Sequence, residues 1–133
     1  MPTPLFQVDA AAVRNEIGRE QLLRLYRQML TIRRFEERAE LAYTSKKIAG
    51  FLHVYIGQEA VATGFYAHLN PGVDYGVTSY RCHAQAILSG VHVNELMAEL
   101  FGKATGNVRG KGGSMHFFSK EKGLLGGHGI RRC

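Results

Sequence analysis

Tryptophan is absent, and cysteine occurs only twice, as Cys82 and Cys133. A disulfide framework needs more cysteines than this, so a reducing compartment is the simpler reading. No apolar run approaches the roughly 20 residues of a membrane-crossing helix, which argues against a membrane partner. The first twenty residues, MPTPLFQVDAAAVRNEIGRE, lack a basic stretch followed by an apolar one, so no secretory signal is expected. They also lack the acid-poor, Arg- and Ser-rich character of a transit peptide, although Arg14 and Arg19 keep a mitochondrial matrix location open beside a cytoplasmic one. There is no internal repeat and no low-complexity linker.

The composition that is present is that of a globular protein, with 45% hydrophobic and 21% charged residues over 133 positions. That is enough for one domain with a core and too apolar for a disordered chain. The formal net charge is +6, which permits an anionic partner: nucleic acid, an acidic surface or a phosphorylated ligand. The basic residues fall in two places. Arg24, Arg27, Arg33, Arg34 and Arg38 alternate with Glu20, Glu36, Glu37 and Glu40, the pattern of a solvated helix face. Arg109, Lys111, Lys120 and Lys122 lie in the stretch Gly106–Gly129, GNVRGKGGSMHFFSKEKGLLGGHG, with eight of the chain's 16 glycines. Glycine at this density disfavours helix or strand interiors and lets bare N–H groups approach an anion. We therefore expect a shaped loop facing something phosphorylated or acidic.

In chain order, residues 1–17 read as an arm, and Gly18 ends it. Leu22, Leu25, Met29, Ile32, Ala39 and Tyr43 share one face of a helix from Glu20 to about Tyr43, a face that Glu36 interrupts. Gly50–Ile56 reads as a short extended segment. Glu59 opens a buried helix reaching Leu69, and residues 70–74 form a turn. Tyr75–Tyr80 predicts a strand, Ala84–Leu88 and Val93–Phe101 predict helices, and the alternation suggests an α/β layered fold.

Several motifs carry possible chemistry. GNVRGKGG approaches a phosphate-binding loop but is one residue short and has Gly112 where a Ser or Thr should bind magnesium. Tyr80 and Arg81 stand at a strand-to-helix junction, where a guanidinium and a phenol can hold phosphate oxygens. The bland alternative is an arginine paired with a core carboxylate. His53, in an apolar segment, is either a satisfied core histidine or a pocket residue able to bind a carboxylate. Cys82, His83, His116 and His128 lack metal-ligand spacing, so no metal is expected on these residues. A basic-aromatic nucleic-acid loop around Phe117 and Phe118 is a distant reading. No RNA module motif supports it, and absence of oligonucleotide binding at low salt removes it.

Taken together, RQMLTIRRFEERAELAY, GFLHVYIGQEA, TSYRCHA, ELMAELFGKATG and GKGGSMHFF…GGHGI resemble the α subunit of the thiamine-diphosphate-dependent decarboxylating component of 2-oxo-acid dehydrogenase complexes, most closely the pyruvate type. The resemblance implies residues 18–130 as part of a thiamine-diphosphate-binding domain, a doubly wound and mostly parallel sheet flanked by helices. Residues 131–133 are an unmatched tail. It implies oxidative decarboxylation of pyruvate or a related 2-oxo acid, with the acyl group passed to a lipoyl-bearing acyltransferase. Acetoin and branched-chain relatives share parts of the pattern. The implied partner is a β subunit in a heterotetramer, with the cofactor lying between the subunits. Tyr80 and Arg81 would contact the diphosphate, and Gly129 would approach the cofactor through its backbone. His53, Tyr80, Arg81 and Ser119 would face the substrate. The family's GDG…Asn motif, which holds magnesium, does not occur in these 133 residues. The chain is therefore expected to be inactive alone, to expose apolar surface and to be marginally stable; the alternative is a non-catalytic module that binds a β subunit through the long helix and the glycine-rich loop.

Overall fold

The computed structural model describes residues 9–70 and 72–128. Seven regular elements follow one another: α1 (Ala10–Ile17), α2 (Arg19–Thr44), α3 (Glu59–Tyr66), β1 (Gly76–Ser79), α4 (His83–Leu88), α5 (Val93–Leu100) and β2 (Leu124–His128). The expected arm thus contains a helix. Asp9 starts it, its Oδ1 accepting the N–H groups of Ala11 and Ala12 at 2.8 and 3.2 Å. None of its side chains is buried, which explains why no apolar periodicity marked it.

Helix α2 is the spine. Its 26 residues bury Ile32, Phe35, Glu36 and Ala39, spaced three and four apart along one stripe. Tyr43, expected on that stripe, is exposed, and Ala42 takes the core-facing position at this end of the helix. Two cores sit against this helix. The larger gathers Phe35, Ala39, Cys82, Ala86, Leu96, Leu100, Phe117 and Leu124. The smaller joins Ile32 to Tyr55, Ala62 and Ala84. Each large apolar side chain fully removed from water contributes about 1.5–3 kcal/mol.

Helix α3 is not the buried helix that its composition suggested. It buries Glu59, Ala62 and Thr63 and turns Val61 and Phe65 outward, 69% and 65% exposed. The smaller core is lined by small residues on this side, so the bulky ones face away.

β1 and β2 pair in parallel, with Gly76 opposite Leu124 and Ser79 opposite His128, and an irregularity between Gly76 and Thr78. The crossover carries α4 and α5, as a parallel pair requires. β2 corrects the expectation that the glycine-rich stretch avoids regular structure. Gly126 and Gly127 lie inside this strand, and close packing explains them. A Cβ on Gly127 would stand 2.5 Å from Cys82 Sγ, and one on Gly126 would overlap the Phe118 ring. Val77, Tyr75 and Leu125 remain exposed on this small sheet, at 67%, 62% and 40%. Among the described residues no helix is long and apolar enough to cross a membrane.

Candidate functional site

The glycine-rich stretch has an internal anion. Glu99, fully buried near the end of α5, accepts four backbone N–H groups. Its Oε2 takes those of Val108 and Gly110 at 2.9 and 2.8 Å, and Oε1 those of Gly112 and Gly113 at 2.7 and 3.2 Å. Hydrogen bonds to a charged acceptor are worth about 1.5–3 kcal/mol each, so the carboxylate organises the whole turn. Gly106 is required beside it, since an added Cβ would lie 2.6 Å from Glu99 Cα. The expected cradle for an acidic group therefore exists, but its occupant belongs to the same chain. Lys111, Lys120 and Lys122 are exposed.

A second cluster has the opposite electrostatics. Tyr80 and Arg81 follow β1 directly, and His53 lies in an extended segment with no strand partner. The His53 and Tyr80 rings meet edge to face at 4.7 Å, and the Arg81 guanidinium carbon lies 5.6 Å from the centre of the Tyr80 ring. Arg81 Nη1 donates to the carbonyl of Val54, anchoring the guanidinium to the His53 segment. Among the described residues no carboxylate pairs with Arg81, so the core-carboxylate reading does not hold. Arg81 is half-buried and Tyr80 partly exposed, which leaves the remaining guanidinium donors beside a phenol and an imidazole.

Phe51 belongs to this cluster and was missed. Its ring stacks on His53 at 6.5 Å while remaining 73% exposed. The signal was the two-residue spacing of an extended segment, which places residues 51 and 53 on one side. Ser119 lies elsewhere. Its backbone N–H donates to Leu124 at 2.8 Å and its carbonyl accepts from Leu124 at 2.9 Å, at the foot of β2. No described hydrogen bond joins it to His53, Tyr80 or Arg81. Gly129 lies outside the described residues.

Several other titratable groups have structural partners. Arg33 Nε meets Glu59 Oε1 at 2.7 Å across α2 and α3. This hydrogen bond, opposed in part by burial, holds the Glu59 carboxyl below the usual carboxylate range. Burial pushes the Cys82 thiol up to about 11, as its Sγ lies 3.7 Å from the Ser114 carbonyl. His116 Nδ1 lies 2.9 Å from the Gly127 carbonyl, and His128 packs on Phe118. Among the described residues no group of three His, Cys, Asp or Glu side chains is placed to hold a metal ion.

Glu36 and His83 form a buried polar line that the solvated-face reading of Glu36 did not foresee. Both are fully buried, with Nδ1 of His83 at 2.8 Å from Glu36 Oε2. Its Nε2 lies 2.8 Å from Ser114 Oγ, which in turn accepts the backbone N–H of His53 at 2.9 Å.

β1 and β2 run parallel with helices between them, an α/β arrangement in which the half-buried Arg81 stands just beyond the carboxyl end of β1. Residues 27–132 match the family described as the dehydrogenase E1 component, and the chain belongs to that family. It is 53% identical over 117 residues to the pyruvate dehydrogenase E1 component subunit alpha of Zymomonas mobilis, covering 88% of this chain and 33% of that protein. Identity to the same-named subunit of Rhizobium meliloti is 50%, over 86% of this chain and 33% of the relative. The alpha subunit of the acetoin:2,6-dichlorophenolindophenol oxidoreductase of Bacillus subtilis is 45% identical, over 84% of this chain and 33% of its own length. The chain thus spans about a third of the curated relatives it matches.

Proposed function

We propose that this chain is the N-terminal part of a pyruvate dehydrogenase E1 α subunit, an oxidoreductase component acting on a 2-oxo acid with thiamine diphosphate. One observation carries the reading: the guanidinium of Arg81, without a carboxylate partner among the described residues, stands beside Tyr80 and His53. A diphosphate fits this chemistry, because a planar cation and a phenol donor offer directed hydrogen bonds to its oxygens. Bound thiamine diphosphate supplies the electron sink for decarboxylation. Arg81 and Tyr80 would hold the diphosphate, the guanidinium offsetting its charge and the phenol donating a hydrogen bond. His53 would donate to the carboxylate of the 2-oxo acid and orient it. By the resemblance, Ser119 and the backbone of Gly129 would join this site in the assembled enzyme, whereas in this chain Ser119 pairs with Leu124. Among the described residues no group of three His, Cys, Asp or Glu side chains could hold magnesium.

The relatives named for pyruvate, at 53% and 50% identity, favour pyruvate over the acetoin chemistry named in the 45% identical relative. The partners that follow are a β subunit and a lipoyl-bearing acyltransferase, in a heterotetrameric component of the cytoplasm. The outward Val61 and Phe65 of α3, and the bare face of the small sheet, suit cover by further protein. The full fold is the doubly wound parallel sheet of which β1 and β2 form one part.

Calorimetric titration of the chain with inorganic diphosphate, then with thiamine diphosphate, tests the site. Binding lost in Arg81→Met supports the reading, and equal binding by that variant refutes it. Decarboxylation of pyruvate after addition of thiamine diphosphate, magnesium and a cognate β subunit would overturn the expectation that the chain is inactive.

A further inference from the structure

The buried line Glu36–His83–Ser114 ends on the backbone of His53, a residue assigned to the substrate pocket. We propose that His83 is a positioning residue for His53, acting through the Ser114 hydroxyl. The inference rests on the reading of His53 as a pocket group, and it uses atoms that no cofactor contact requires.

The Glu36 carboxylate, at 3.0 and 2.8 Å from His83 Nδ1, can only accept, so Nδ1 carries a proton. Nε2 lies 2.8 Å from the Ser114 hydroxyl and 3.1 Å from the Ser114 carbonyl, so this residue holds the other side of the ring through both oxygens. Whichever of Nε2 and the hydroxyl donates to the other, Ser114 Oγ keeps a lone pair for the His53 N–H at 2.9 Å. Each group fixes the next, as neighbours of a metal-bound histidine fix its tautomer. The rings of Phe35 and Phe117, 5.8 and 5.1 Å from the His83 ring, close off water and prevent the imidazole from flipping.

Residues 51–55 form no strand, so beyond the burial of Leu52 and Tyr55 the backbone at His53 and Val54 depends on side-chain partners. It is tied at His53 N–H to Ser114 and at the Val54 carbonyl to Arg81. Thus the carboxylate of α2 sets the position of the imidazole at the pocket through three hydrogen bonds.

The test uses the complete chain without cofactor, so its outcome is separate from that of the diphosphate titration. Long-range proton–nitrogen spectra of the native chain should show His83 protonated at Nδ1; a bare Nδ1 overturns the proposal. Ser114→Ala should accelerate amide exchange at His53 by at least about tenfold, while the Val108 and Gly110 amides held by Glu99 keep their native rates. Unchanged exchange at His53 overturns it. Glu36→Gln, whose amide oxygen still accepts from Nδ1, should keep His53 exchange within about twofold of native. A purely structural role of the charge predicts faster exchange everywhere, and that result would also refute the relay.

Discussion

The turn around Glu99 and the cluster around Arg81 hold opposite charges and treat them in opposite ways. Glu99 is fully buried, and its two oxygens are filled by four N–H groups of the glycine turn. Arg81 is half-buried, uses one donor on the Val54 carbonyl and has no described carboxylate partner. The comparison separates two signals that look alike in sequence. A glycine-rich stretch with lysines advertises an anion, but an internal carboxylate meets that demand. A single arginine after a strand attracts less notice, yet its charge is the one left for a ligand.

The contrast breaks most severely at Glu99. Glu99→Ala leaves four backbone donors without their acceptor, and we expect a loss of about 4 kcal/mol in chemical denaturation. A loss below about 1 kcal/mol would mean that water satisfies the turn as well as the carboxylate does. Gly106→Ala sharpens the same point from the other side. Its Cβ would lie 2.8 Å from the Glu99 backbone nitrogen, and overpacking of this kind costs about 1–3 kcal/mol. The same denaturation series measures it.

At the opposite pole Arg81→Met should cost only about 1–2 kcal/mol of stability, for the lost Val54 hydrogen bond, and weaken diphosphate binding by at least about tenfold. Large destabilisation with unaltered binding would reverse the comparison. A smaller effect is expected for the pair between α2 and α3. The Glu59 carboxyl is held low in the folded chain, so its contribution is fully present above the ordinary glutamate range. It is lost as pH falls through the lowered value. Arg33, with its side chain 42% exposed, limits the size of this term. Helicity followed during acid titration should therefore fall at higher pH in Arg33→Met than in the native chain.

Much of the architecture was legible. The apolar spacing along α2 announced a long helix, and Asn70, Gly72 and Asp74 announced the turn, in which Asp74 N–H donates to the Asn70 carbonyl at 3.0 Å. Tyr75–Tyr80 announced β1. In the site, Tyr80 and Arg81 were visible because strand-to-helix junctions bring backbone and side-chain donors together. His53 was visible as a lone imidazole among apolar residues. Their meeting was not visible, for 27 residues separate Val54 from Arg81. Glu36 misled in the same way: its position among charged residues suggested solvent, and only the approach of α4 buried it against His83.

Sequence alone determined what short-range chemistry can determine: helix periodicity, turn residues, the excess of positive charge and the motifs of the dehydrogenase E1 component family. Tertiary structure decided which charges remain available. Packing brought α5 under the glycine turn, consuming Glu99, and brought α4 beside α2, consuming Glu36. It set Arg81 against a carbonyl and left its charge without a carboxylate among the described residues. The reason is that a buried charge must find partners within hydrogen-bond reach. Those partners here come from residues 9 to 47 positions away in the chain, a distance that no local pattern encodes.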